Sequence, residues 1–243
     1  MPRQNLNQET TPNPSKMFAE WKDGIFRYYD KQLEKNVELP SDFTFIVIDE
    51  LTTVKGWNDP SQSGIYSNEV RNTKTEKLLV KSFKGGKIAE GLYEDIKPSI
   101  VAAGGKYCKS VYIAYKDGEL KMGNIQFSGA SLGAWFDFVK ENKSEIYKQA
   151  VKLVGKLEDK KGSVKFSIPV FKLVPISKET DDLAGEIQKE LQEYFESYFK
   201  FDIDKELEVV KSEVEQQTEV LNRTYDKTAS FAPDNEDIEQ LPF

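Results

Sequence analysis

The sequence predicts an α+β fold with a mainly β core: an OB-like antiparallel barrel carrying inserted and C-terminal helices. Three observations carry that expectation. Short apolar runs with period-two alternation recur between residues 25 and 127, and Gly, Pro, Asn and Asp clusters separate them. Stretches of helical periodicity interrupt the runs and follow them. With 243 residues, 38% of them hydrophobic, the chain suits one domain with polar ends.

The elements are expected in the following order. Residues 1–15, with Pro2, Pro12 and Pro14 among Asn, Gln and Thr, read as a disordered arm, after which Phe18 and Trp21 anchor the chain. Strands follow over 25–29 and 43–55; the second is apolar on both faces and is therefore central. Residues 56–64, containing Trp57, read as a loop. Strands over 65–71 and 77–83 come next, and Lys84-Gly85-Gly86-Lys87 reads as a flexible turn without P-loop spacing. A helix is expected over 88–103, ended by Gly104-Gly105. Strands over 109–115 and 120–127 meet at Asp117-Gly118, a hairpin signal. Ser131 opens a helix whose apolar positions run from Leu132 through Trp135, Val139 and Ile146 to Val154. A strand over 164–174 contains Pro169 and is followed by Pro175, which marks an edge. From Thr180 the chain turns helical, and Leu207, Val210, Val214 and Leu221 continue a second apolar stripe that keeps a homo-oligomer in view.

Composition excludes several chemistries. With no histidine and a single cysteine, Cys108, the chain has no Ser-His-Asp triad, no imidazole base, no His-containing zinc site and no internal disulfide. The carboxylate pairs Asp49-Glu50 and Glu94-Asp95 do not converge locally, because strand neighbours face apart and helix neighbours diverge. No enzyme, no metal and no cofactor is expected. Neither a secretory signal nor a long apolar run is present, so a soluble cytoplasmic protein without membrane contact is expected.

The net charge of −7 conceals a division. Residues 21–178 hold 26 Lys+Arg against 20 Asp+Glu, a net of +6, whereas residues 179–243 hold 6 against 19, a net of −13. A basic body points to a polyanion, and an acidic tail on the same chain can occupy that surface until nucleic acid displaces it. In the 77–83 strand, Lys77, Leu79, Lys81 and Phe83 share one face. Such a face fits a single strand whose bases stack on rings while lysines follow the backbone. The stacking candidates are Trp57, Tyr66, Phe83, Tyr112 and Tyr115. The phosphate candidates are Lys55, Arg71, Lys77, Lys81, Lys84, Lys87, Lys106 and Lys109.

The organisation expected is an arm over 1–15, a nucleic-acid-binding domain over 16–178, an acidic helical extension over 179–224 and an acidic tail over 225–243. The tail ends Asp234-Asn235-Glu236-Asp237-Ile238-Glu239-Gln240-Leu241-Pro242-Phe243. This ending resembles the C-terminal tip of bacterial single-stranded DNA-binding proteins, an acidic run closed by Ile-Pro-Phe, and the acidic, Phe-terminated tails of tailed-phage replication proteins of that kind. Here Gln240 and Leu241 interrupt the pattern, and no Gly/Gln-rich linker precedes it. The resemblance, confined to the tip, implies a protein of a bacterial cell or its phage that coats single-stranded DNA. It also implies recruitment of replication or recombination enzymes, with Asp234, Glu236, Asp237, Glu239, Leu241, Pro242 and Phe243 docking the partner. Two other readings stand beside it: single-stranded RNA binding, and a scaffold acting through the acidic helical third. A DNA mimic would need an acidic body, which this is not.

Overall fold

The computed structural model describes residues 12–200. The expectations for 1–11 and for 201–243, including the stripe from Leu207 to Leu221 and the tip from Asp234 to Phe243, lie outside the described residues. Within them the fold is α+β and mainly β. The order is β1 (Phe18–Lys22), β2 (Ile25–Asp30), β3 (Lys35–Glu38), β4 (Thr44–Asn58), β5 (Ser63–Ser67), β6 (Leu78–Ser82), β7 (Gly86–Gly91), α1 (Tyr93–Ala102), β8 (Gly105–Asp117), β9 (Glu119–Ser128), α2 (Ala130–Glu141), β10 (Ala150–Lys161), β11 (Val164–Val174) and α3 (Lys178–Tyr198).

The sheet is open and mixed rather than a closed antiparallel barrel. Its strands run β3-β2-β1-β9-β8-β4-β5-β6-β7, and the terminal strands β3 and β7 do not meet. β1 lies parallel to β9, while the other pairings are antiparallel. β4 is central as its apolar faces require. It pairs along its length with β8, and on its other edge with β10 near Ile46 and with β5 near Trp57. β11 pairs only with β10, the edge position that Pro169 favours.

Three other local expectations differ. Trp57 is in β4 and not in a loop, because Gly56 and the Gly104-Gly105 corner let two backbones touch. A Cβ on Gly56 would meet the Gly104 carbonyl oxygen at 2.2 Å, and Gly104 itself adopts φ +90°. Residues 86–91 form a strand paired with β6, entered through Gly86 at φ +74°. The helix opened near Ser131 stops at Asn142, whose backbone N–H bonds Phe138 O and Val139 O. Ala150 onward then becomes a strand paired with Ile46 and Phe45. The apolar spacing of Ile146 and Ala150 is helical by coincidence; both are buried, but in a turn and a strand.

Two cores lie on opposite faces of the sheet. Under α2 and the β10–β11 ribbon, Trp135 stacks on Phe127 with centroids 4.7 Å apart, and Phe171 meets Trp135 edge-on at 5.7 Å. On the other face α3 seats Ala184, Leu191, Tyr194, Phe195 and Tyr198 against Ile46, Ile48, Leu51, Tyr112, Ala114 and Met122. Burying each large apolar side chain contributes about 1.5–3 kcal/mol. Ser177 caps α3 by accepting from Thr180 N at 3.2 Å. Arg71 clips the helix end: its guanidinium pairs with Asp49 at 3.1 Å and lies 5.0 Å from the Phe195 centroid and 5.5 Å from that of Phe199.

Beneath α3 sits a buried carboxyl, Glu69. It accepts from Tyr112 Oη at 2.6 Å, and its backbone N–H donates to Tyr198 Oη at 2.7 Å. Burial raises its pKa above the ordinary 4.5, against the lowering effect of bonds from Ser110 and Tyr112.

Two outcomes are expected. Phe195→Ala should cost about 3–5 kcal/mol in urea unfolding, since it leaves a cavity under α3 and removes a ring from Arg71. For Glu69 the folded pKa is the higher one, so its contribution is full below the unfolded pKa and lost as pH rises through the folded value. Glu69→Gln keeps an acceptor for Tyr112 but does not ionise. Its melting temperature should exceed that of the parent at pH 8, with the gap closing toward pH 4.5.

Candidate nucleic-acid interface

Strand side chains alternate between faces, and the two cores tell which face each serves. On β8, Tyr107, Val111 and Ile113 enter the α2 core, whereas Tyr112 and Ala114 enter the α3 core. On β4 the register shifts between Val47 and Asp49. Phe45 and Val47 therefore face α2, but beyond the bulge Leu51 faces α3 and Val54 faces α2. The reversal puts Thr53, Lys55 and Trp57 on the α3 side, at the end of the sheet that the α3 core does not include.

That end carries the basic and aromatic residues together. Lys55 is directly opposite Lys106. Trp57 is opposite Gly64, so Tyr66, two residues on, shares its face. Tyr66 is opposite Lys81, and Lys81 is opposite Lys87. Phe83 stacks on Tyr66 with centroids 4.5 Å apart and planes at 17°. Trp57 and Phe83 are half-buried, whereas Tyr66 is 5% exposed and acts as the floor beneath Phe83. Lys77 and Lys84 are exposed at the two ends of β6.

Four expected contacts lie elsewhere. Tyr112 is fully buried under α3 and cannot stack on a base. Tyr115 packs at the margin of the α2 core, 6.0 Å from Phe43. Arg71 is held by Asp49 and the two phenylalanine rings. Lys109 faces the α2 side with its ammonium 3.8 Å from Glu50, a carboxylate that also accepts from Trp135 Nε1 at 2.7 Å. Burial raises the Glu50 pKa, with Lys109 and Trp135 opposing it. Cys108 is buried and its thiol is pushed up to about 12 by desolvation, so it is an inert packing group.

The electrostatics of the face are unbalanced where Lys55 meets Lys106. Like charges directly opposite on neighbouring strands repel. Lys55 donates to Gln126 Oε1, a neutral group. Lys106 is half-buried, and among the described residues no hydrogen bond or ion pair answers its ammonium; burial lowers its pKa from 10.5. An anion at this point would satisfy both charges. Lys87 differs, since Glu90 pairs with it.

The same face continues across β9 to β1, β2 and β3, where Glu20, Arg27, Asn36 and Gln126 belong to it. These were not among the sequence candidates. The available signal was the polar half of the alternation in 18–22 and 25–29.

Lys106→Met should stabilise the fold and weaken polyanion binding together. Removing a desolvated, unanswered charge is expected to raise the melting temperature by about 2–4 °C, the shift that ~1 kcal/mol produces in a domain of this size. Scanning fluorimetry beside an affinity titration reads both effects.

Among the described residues no group of three or more Cys, Asp and Glu side chains is placed to hold a metal ion, and no helix is long and apolar enough to cross a membrane. Comparison with known protein families, with curated proteins and with solved structures finds no match to this chain.

Proposed function

We propose that this protein binds single-stranded DNA without catalysing a reaction on it, coating strands exposed in replication or recombination in a bacterial or phage-infected cell. The observation that carries the reading is the paired lysines, Lys55 with Lys106 and Lys81 with Lys87, flanking Trp57 and Phe83 on one sheet face. Duplex DNA hides the flat faces of its bases, so rings on a sheet favour unpaired strands. Lysines at strand spacing neutralise successive phosphates and release their counterions, which makes affinity fall as salt rises. The reading needs a curved face with rings between cations, and an OB-type closure of the sheet is not required for it. The acidic tip from Asp234 to Phe243 is assigned partner recruitment on its resemblance alone.

The test is a fluorescence-anisotropy titration with labelled oligo-dT, a matched duplex and a matched RNA across a salt series. Oligo-dT should bind tightest and weaken with salt. Phe83→Ala should weaken it by about 1–3 kcal/mol, roughly 5- to 150-fold, if a base stacks on that ring. Equal or tighter RNA binding would move the assignment to RNA, and absence of single-strand binding at low salt would remove it.

A further inference from the structure

Strand β10 is covered on one edge and bare on much of the other. Its first residues, Ala150 to Lys152, pair with β4, and the Leu153 N–H bonds Phe43 O. Beyond the register shift between Leu153 and Gly155, only β11 pairs with it among the described residues, and every residue from Val154 to Lys161 is exposed. No proline interrupts that stretch. A bare edge presents unpaired N–H and C=O groups to any extended chain of matching pattern. The other open edges among the described residues are shorter or touched. β3 has 4 residues and β7 has 6, and the outer edge of β11 meets the Trp21 indole, whose Nε1–H donates to Ser167 O at 2.9 Å.

The same ribbon is apolar on a side where solvent calls for polar residues. Phe171 and Leu173 pack on the α2 core, so the even-numbered residues of β11 turn away from it. Cross-strand pairing then sets Val170 beside Gly155, Ile168 beside Leu157, Phe166 beside Asp159 and Val164 beside Lys161 on that outward side. Leu157 is 61% exposed and Val154, at the register shift, 45%.

Charges usually keep such edges apart, and here they are self-complementary. Two copies of one strand pair antiparallel about a two-fold axis perpendicular to the sheet, so a residue on the axis faces itself. An axis through Lys156, Glu158, Asp159 or Lys160 sets a charge against its own copy, which repels. An axis through Gly155 carries Leu157 onto Leu153, whose N–H is already bonded to Phe43 O. An axis at Leu157 brings Lys156 opposite Glu158 of the second copy, and Glu158 opposite Lys156 of the second copy. Gly155 then faces Asp159 and Val154 faces Lys160, so no like charges oppose. We propose that this protein dimerises through this edge, β10 of one copy pairing antiparallel with β10 of a second about an axis at Leu157.

The joined ribbons form one sheet, β11-β10-β10-β11, in which Ile168 and Leu157 of one copy and Leu157 and Ile168 of the other make a single apolar row. Within one copy the Lys156 ammonium and the Glu158 carboxylate lie 3.1 Å apart along the strand, and across the axis each gains a second opposite charge. One strand from each copy is a small seam, so the dimer is a weak one that dissociates on dilution. The inference stands on strand pairing and charge and does not depend on the single-strand reading.

The experiment is sedimentation equilibrium of the full chain, without nucleic acid, over a concentration series. The parent should pass from monomer to dimer as concentration rises. Lys156→Glu sets carboxylate against carboxylate on both sides of the axis, and Glu158→Lys sets ammonium against ammonium; each should weaken dimerisation roughly ten-fold. The double variant Lys156→Glu/Glu158→Lys restores opposite charges and should dimerise like the parent. Mixing the two single variants should give a mixed dimer. Leu157→Cys should be linked to its copy by oxidised glutathione, because facing Cα atoms lie about 4.5–5.5 Å apart, within disulfide reach. Val154→Cys, away from the axis, should not be linked, and Cys108 is buried. A parent that stays monomeric throughout, or that dimerises equally well with either single substitution, overturns the proposal, as does linkage at 154 without linkage at 157.

Discussion

The β-bulge between Val47 and Asp49 governs which chemistry each face of the sheet displays. One extra residue in β4 reverses its side-chain phase, so a strand that begins by sending odd-numbered residues to the α2 core ends by sending them to the α3 side. Were the ladder regular, Lys55 and Trp57 would point to the α2 side with Val47, and a lysine would have to be desolvated on the packed face that Val54 and Tyr107 now fill. The bulge avoids that cost. It also lets β4 bend, which is how one strand pairs with β10 at one end and β5 at the other.

From that reversal follows a division of labour along a single face. At one end the α3 helix seals apolar residues, and Arg71, Asp49 and the Glu69 network fasten it there. At the other end the face carries Lys55, Lys81, Lys87 and Lys106 beside Trp57, Tyr66 and Phe83. Among the described residues Lys106 has no counter-charge, and Lys55 donates to the Gln126 amide oxygen. Fold stability alone would favour a neutral residue at 106, where burial opposes the charge. That desolvated charge is what distinguishes this end of the sheet from the end beneath α3, and it is the ground on which ligand contact is proposed here.

Parts of this were legible in the chain itself. The excess of Lys and Arg in the body, the absence of histidine, the strands at 43–55 and 164–174, the Asp117-Gly118 hairpin and the helix from Thr180 follow from composition, alternation and turn chemistry, which act over a few residues. The lysine and aromatic alternation of 77–83 likewise marked Lys81 and Phe83 as neighbours on one face. The acidic tip and its resemblance belong to the sequence alone.

What only the tertiary structure decided is pairing and phase. Tyr112 and Trp57 were both stacking candidates in the sequence, yet α3 covers one and not the other because a helix some eighty residues after Tyr112 packs there. Arg71, a phosphate candidate by its charge, is paired with Asp49 and lies against the Phe195 and Phe199 rings, a contact that only the docking of α3 creates. Glu20 and Arg27 stood on the polar half of a local alternation, but that they and Asn36 share one face is fixed only where β1, β2 and β3 align. Alternation assigns a side chain to a face only up to the next irregularity, and a one-residue bulge, set by which strands meet, leaves no mark in the residues that form it.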